Sequence, residues 1–80
     1  MIVLEAVLLP HGIHFVLWKD GYSVNSQVFH LGDPTIESMV LSWLGDLGIP
    51  LERRGSLFDT AVIGALFKSL RTRNSQLRDF

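Results

Sequence analysis

An Asp20-Gly21 pair set between two short runs of strand-forming residues, 13 to 19 and 22 to 29, constrains this chain more than any other feature in it. A two-residue hairpin loop of type I′ holds both central residues at positive φ, and Asp-Gly is among the few pairs that accept this, so the segment predicts a hairpin. Side chains alternate along a strand, so the turn also fixes which residues oppose one another: Lys19 with Tyr22, Leu17 with Val24, Phe15 with Ser26 and Ile13 with Val28. That register gathers the apolar residues onto one face.

Residues 2 to 9, Ile-Val-Leu-Glu-Ala-Val-Leu-Leu, are rich in β-branched and aliphatic side chains and end at Pro10-His11-Gly12, which reads as strand then turn. Taking His11-Gly12 as a two-residue loop sets Leu8 opposite Phe15 and Ala6 opposite Leu17. Ile2, Leu4, Ala6 and Leu8 then share the core face. The expected unit is a three-stranded antiparallel meander over residues 2 to 29. Its second face would carry Val3, Glu5, Val7, Leu9, His14, Val16, Trp18, Ser23, Asn25 and Gln27, more aliphatic and aromatic than a solvated face usually is.

Asp33-Pro34 predicts a helix start, with an N-cap acceptor followed by a proline whose missing donor is harmless at the first helical position. Ile36, Met39, Val40, Trp43, Leu44 and Leu47 follow helical spacing until Gly48-Ile49-Pro50 stops them. A second helix is expected to open at Ser56, with Asp59 three residues on as a carboxylate form of the capping box. Its core stripe is Leu57, Phe58, Ala61, Val62, Ala65, Leu66 and Leu70. Ile63 and Phe67 lie off that stripe, making the helix apolar around most of its circumference, and such a helix has to be buried on several sides. The fold class is therefore α+β, βββαα, with helices at about 34 to 47 and 57 to 73 on one sheet face and a frayed tail over 74 to 80.

Eighty residues, 48% apolar and 19% charged, describe one compact domain, residues 1 to 80, with a marginal core that oligomerisation would reinforce. Cysteine is absent, which removes disulfides and thiolate metal sites and fits a reducing compartment. The first basic residue is Lys19, and Glu5 interrupts the opening apolar run, so the start of the chain does not read as a secretory signal. The longest apolar run, Ala61 to Phe67, falls far short of the ~20 residues of a membrane-spanning helix. A soluble, cytoplasmic protein with no membrane partner is expected.

No spacing assembles a reaction centre. His11, His14 and His30 fall on a turn and two strand positions, none forming a helical ligand pair, so no metal is expected. Ser23, Ser26, Ser38 and Thr60 lack the context of a nucleophile. Asp33, Glu37 and Asp59 are explained as first-turn carboxylates, and the seven glycines form no phosphate loop. The chain reads as non-enzymatic, without catalytic residues or cofactor.

Charge is divided unevenly. Six of the seven basic residues, Arg53, Arg54, Lys68, Arg71, Arg73 and Arg78, lie in the last 30 positions. This makes Arg53, Arg54, Lys68, Arg71 and Arg73 candidates for contact with nucleic acid or an acidic partner. The end of the second helix accounts for Lys68, Arg71 and Arg73 as cations at its negative pole, and about 24 Å of helix would separate them from Arg53 and Arg54 in the inter-helix loop. They join into one surface only in a dimer. Val3, Val7, Val16 and Trp18 on the second sheet face, with Ile63 and Phe67 on the second helix, form the candidate protein interfaces. The leading expectation is a small interaction protein, homodimeric, docking on a larger assembly as an adaptor or inhibitor. By analogy of size alone, an inhibitor carried by a mobile element and aimed at a host nucleic-acid-handling complex would suit it. The alternative is a nucleic-acid-binding dimer.

Overall fold

The computed structural model describes residues 1–30 and 36–78, the last seven of these as backbone only. Strands β1 (Ile2–Leu9), β2 (Gly12–Lys19) and β3 (Tyr22–His30) form one antiparallel sheet in the order β1-β2-β3, followed by α1 (Ile36–Asp46) and α2 (Leu51–Arg78). This is the expected βββαα arrangement. The Asp33-Pro34 helix start lies outside the described residues.

The hairpin turn takes the conformation its sequence requires: Asp20 has φ of 51° and Gly21 of 87°, and Lys19 pairs with Tyr22. The Met1 amino group also bridges the Asp20 carboxylate and, as both hydrogen-bond donor and positive charge, holds that carboxyl below its ordinary range. The first turn differs from expectation. It is Pro10-His11, with Leu9 paired to Gly12, so Leu8 opposes Ile13 and Ala6 opposes Phe15. The shift is two residues, one full period of the pleat, so every β1 side chain keeps its expected face.

The register of β2 with β3 changes more deeply. Trp18 pairs with Ser23, but Leu17 pairs with Asn25, leaving Val24 as the extra residue of a bulge. Beyond it the parity of β3 is reversed. Phe15 opposes Gln27, Ile13 opposes Phe29, and Val28 sits opposite His14 on the other face. Val24 and Val28, expected in the core, are exposed, while Phe29 is buried. Asn25 and Gln27 move to the helix side, where the Trp43 Nε1–H donates to Asn25 Oδ1 at 3.4 Å.

The core lies between the sheet and the two helices. Leu4, Ala6, Phe15, Leu17 and Phe29 from the strands meet Val40 and Leu44 of α1, Ile49 of the connection, and Ala61 and Ala65 of α2. Phe15, with no exposed surface, stands at the centre. Its ring stacks on Phe58 at 6.0 Å and meets Phe29 edge-on at 5.9 Å, while Phe29 in turn meets Trp43 edge-on.

The helices join through a glycine-based cap. Gly48 has φ of 87°, its N–H donates to the Gly45 carbonyl, and the Ile49 N–H donates to the Leu44 carbonyl. This is a Schellman motif, completed by contact between the buried Leu44 and Ile49. Pro50 follows at once and α2 begins at Leu51, not at Leu57 as expected, and it continues to Arg78 instead of stopping near 73. Asp79 and Phe80 lie outside the described residues.

Ser56 is therefore no N-cap. It sits inside α2 with its hydroxyl donating to the Arg53 carbonyl at 3.1 Å, and Asp59 is an exposed mid-helix residue instead of a first-turn one. Gly64 also lies within α2, and a Cβ built on it meets no atom within 4 Å. Gly64→Ala should therefore raise stability by about 0.5–1 kcal/mol through reduced backbone entropy of the unfolded chain, readable in urea unfolding at unchanged m-value.

Candidate functional site

Period-2 alternation places Val3, Val7, Val16 and Trp18 together on the sheet face that carries neither helix. Val3 opposes Trp18, Glu5 opposes Val16, and Val7 opposes His14, which opposes Val28 in turn. Val3, Val7 and Val28 are exposed, and Val16 and Trp18 are half-buried between neighbouring strands. Both helices pack against the opposite face, so among the described residues no element covers this one. The result is an aliphatic patch with an indole at one end, interrupted by His14 between Val7 and Val28 and edged by Glu5, Ser23, Ser26 and His30. Val28 belongs to this patch but could not be assigned to it from the sequence, because only the bulge turns it outward.

A second apolar surface lies on α2. Its inward side is Leu57, Phe58, Ala61, Val62 and Ala65. Ile63, Leu66, Phe67 and Leu70 are 53%, 51%, 62% and 54% exposed. Their spacing of i, i+3, i+4, i+7 puts them on one stripe. Ile63 and Phe67 stand where the sequence reading set them, off the core side. Leu66 and Leu70, expected in the core stripe, join them outside.

The basic residues are not brought together. Arg54 Nε donates to the Ile49 carbonyl at 2.8 Å, and its guanidinium packs so closely on Gly45 that a Cβ there would stand 2.9 Å from Cζ. At the end of α1, where carbonyls lack helical partners and the dipole is negative, this is a structural position for a cation. Lys68 Nζ lies 3.6 Å from Glu5 Oε2, reaching across the β1 edge, in a pair whose lysine is largely solvated and whose carboxylate is half-buried. Arg53 and Arg71 are exposed, and their separation of eighteen positions in α2 sets them about 27 Å apart. Arg73 belongs to the segment described by its backbone alone.

His11 is exposed on the first turn, His14 half-buried in β2 and His30 exposed at the end of β3. Among the described residues no three His, Asp or Glu side chains are grouped to hold a metal ion, and no helix is long and apolar enough to cross a membrane. An open cleft of about 430 Å³ separates β3 from α1, with Gln27, Phe29, Ser42, Trp43 and Asp46 in its wall. No family model, curated protein or solved structure matches this chain. Fold and surfaces define it as a small α+β domain with an apolar sheet face that no element covers among the described residues.

Proposed function

We propose that this chain is a non-enzymatic protein-interaction module that docks on a larger assembly, as an adaptor or an inhibitor, through the open sheet face. The observation that carries this reading is the patch of Val3, Val7, Val16, Trp18 and Val28, in which an indole flanked by Val3 and Val16 stands at one end of an aliphatic strip with a polar rim. Interface hot spots have this composition: an aromatic anchor surrounded by contacts that exclude water. The nucleic-acid alternative is the weaker reading, because Arg54 is held at the α1 terminus and Lys68 beside Glu5, and Arg53 stands about 27 Å along α2 from Arg71.

The test is capture of a partner from the native host by the wild-type chain and by Trp18→Ala and Val7→Asp. Both substitutions are on the uncovered face, so circular dichroism should be unchanged. Capture should fall at least tenfold, the effect of losing a contact worth about 1.4 kcal/mol or more. Equal capture by all three chains would reject the sheet face as the docking surface. Binding to bare duplex or single strands that weakens steeply with salt would favour the alternative.

A further inference from the structure

From the outer stripe of α2 we infer that two copies of this chain pair through antiparallel α2 helices, burying Ile63, Leu66, Phe67 and Leu70 of each against the same residues of the other. Three observations name a second copy as the occupant. The first is shape. The stripe has the i, i+3, i+4, i+7 spacing of a helix-to-helix seam, and all four side chains are more than half exposed. A large continuous apolar strip on one rod-like element matches another rod, and its centre, between Leu66 and Phe67, is a natural place for a two-fold axis.

The second is charge. Asp59 lies about 11 Å along α2 on the N-terminal side of that centre and Arg71 about 7 Å on the C-terminal side. Both are exposed. Reversal of one helix brings Asp59 within about 5 Å, along the axis, of the level of the partner's Arg71, and Arg71 equally near the level of the partner's Asp59, an offset that an arginine side chain spans. A parallel pair in register would instead set Asp59 on Asp59 and Arg71 on Arg71. The third is the macrodipole, whose opposite poles meet in the antiparallel arrangement and like poles in the parallel one. The stripe has the complementarity of an isologous interface.

The pairing has a structural consequence. The stripe is on the side of α2 away from β1, so the order of layers through the dimer is sheet, helices, helices, sheet. The two open sheet faces then point outward in opposite directions, giving a module with two identical docking surfaces.

The experiment measures mass by light scattering and geometry by crosslinking, neither of which depends on the sheet face having a partner. Wild-type protein at high micromolar concentration should have twice the 9.0 kDa chain mass. Phe67→Glu should have the single-chain mass with an unchanged helical circular dichroism spectrum, since Phe67 is 62% exposed. The natural chain has no cysteine, so single cysteines report orientation directly. Ile63→Cys mixed with Leu70→Cys should crosslink faster than either variant with itself. Asp59→Arg should weaken the dimer, and Arg71→Asp in the same chain should restore it. A wild-type mass of 9.0 kDa, a dimer unaffected by Phe67→Glu, or self-crosslinking of Ile63→Cys in preference to the mixture would overturn the proposal. Loss of partner capture by Trp18→Ala with the dimer mass intact bears on the sheet face alone.

Discussion

Phe15→Ala should cost the domain about 4–5 kcal/mol, read as a large fall in the urea midpoint, and should abolish the cooperative transition at 25 °C if the wild type lies near the lower bound of its stability range. Phe15 has no exposed surface and is the residue through which sheet, α1 and α2 are joined, with its ring between Phe29 and Phe58. Truncating a buried phenylalanine costs about 3–5 kcal/mol, and the upper part of that range applies where the surroundings cannot collapse into the space. Two of its neighbours are rings fixed by further packing, Phe29 by Trp43 and Phe58 by the length of α2, so little collapse is available. A domain of this size has a total stability of roughly 4–12 kcal/mol. The substitution therefore removes a third of it at the least, and all of it if the domain is near the lower bound. A midpoint shift equivalent to under about 1 kcal/mol would show that the core is not organised around this ring.

The parts of the fold that were legible in the sequence are those where one local rule decides the outcome. Asp20-Gly21 has a single backbone solution, and the alternation of β1 and β2 is indifferent to a two-residue error in the first turn, so Val3, Val7, Val16 and Trp18 fall together in the expected and the observed turn alike, whereas a one-residue slip would have exchanged the faces of β1. The parts that were missed are those where two rules compete. In β3 the spacing of Val24 and Val28 agrees with an unbroken register, yet the bulge at Val24 buries Phe29 at the expense of Val28. A phenyl ring covers more apolar surface than an isopropyl group, and Phe29 also gains two edge-on partners, Phe15 and Trp43. Phe29 and Trp43 belong to different elements, and neither the period of the strand nor that of the helix reports their contact.

The start of α2 was missed for a similar reason. Gly55-Ser56 resembles a loop and a cap, and a glycine inside a helix costs about 1 kcal/mol. That cost is outweighed because the Schellman turn at Gly48 reverses the chain within a few residues and leaves residues 51–54 able to add a turn, which Arg54 secures to the Ile49 carbonyl. Leu66 and Leu70 were assigned to the core by counting an apolar stripe that was too wide. Each residue advances the helix by about 100°, so Leu66 already points well away from the direction of Ala65. Exposure of those two leucines completes the outer stripe, which the sequence outlined only through Ile63 and Phe67.

Gly12→Ala should be the most damaging single-carbon addition to the chain, costing about 2–3 kcal/mol, within the range for forcing extra volume into a packed site. The sequence suggests that Gly12 serves a turn, yet among the described residues those at positive φ are Asp20, Gly21 and Gly48, and Gly12 is the first residue of β2, paired to both Leu9 and His30. Its requirement is for space. A Cβ at this position would stand 2.5 Å from the Phe29 carbonyl oxygen and 3.3 Å from the His30 Cα, and both are backbone atoms that no rotamer change can move. To relieve the clash, β3 must shift at Phe29, whose ring is buried against Phe15 and Trp43, so strain at the sheet's end is transmitted to the centre of the core. Gly21→Ala provides the contrast. A Cβ there meets no atom within 4 Å, and the cost is confined to the left-handed backbone, about 1–2 kcal/mol. Thermal unfolding of the two variants separates these mechanisms, and near-ultraviolet dichroism should register a changed Trp43 environment in Gly12→Ala alone. If Gly12→Ala proves as stable as the wild type, the close approach of β2 to β3 at this end is wrong, and with it the placement of Phe29 in the core.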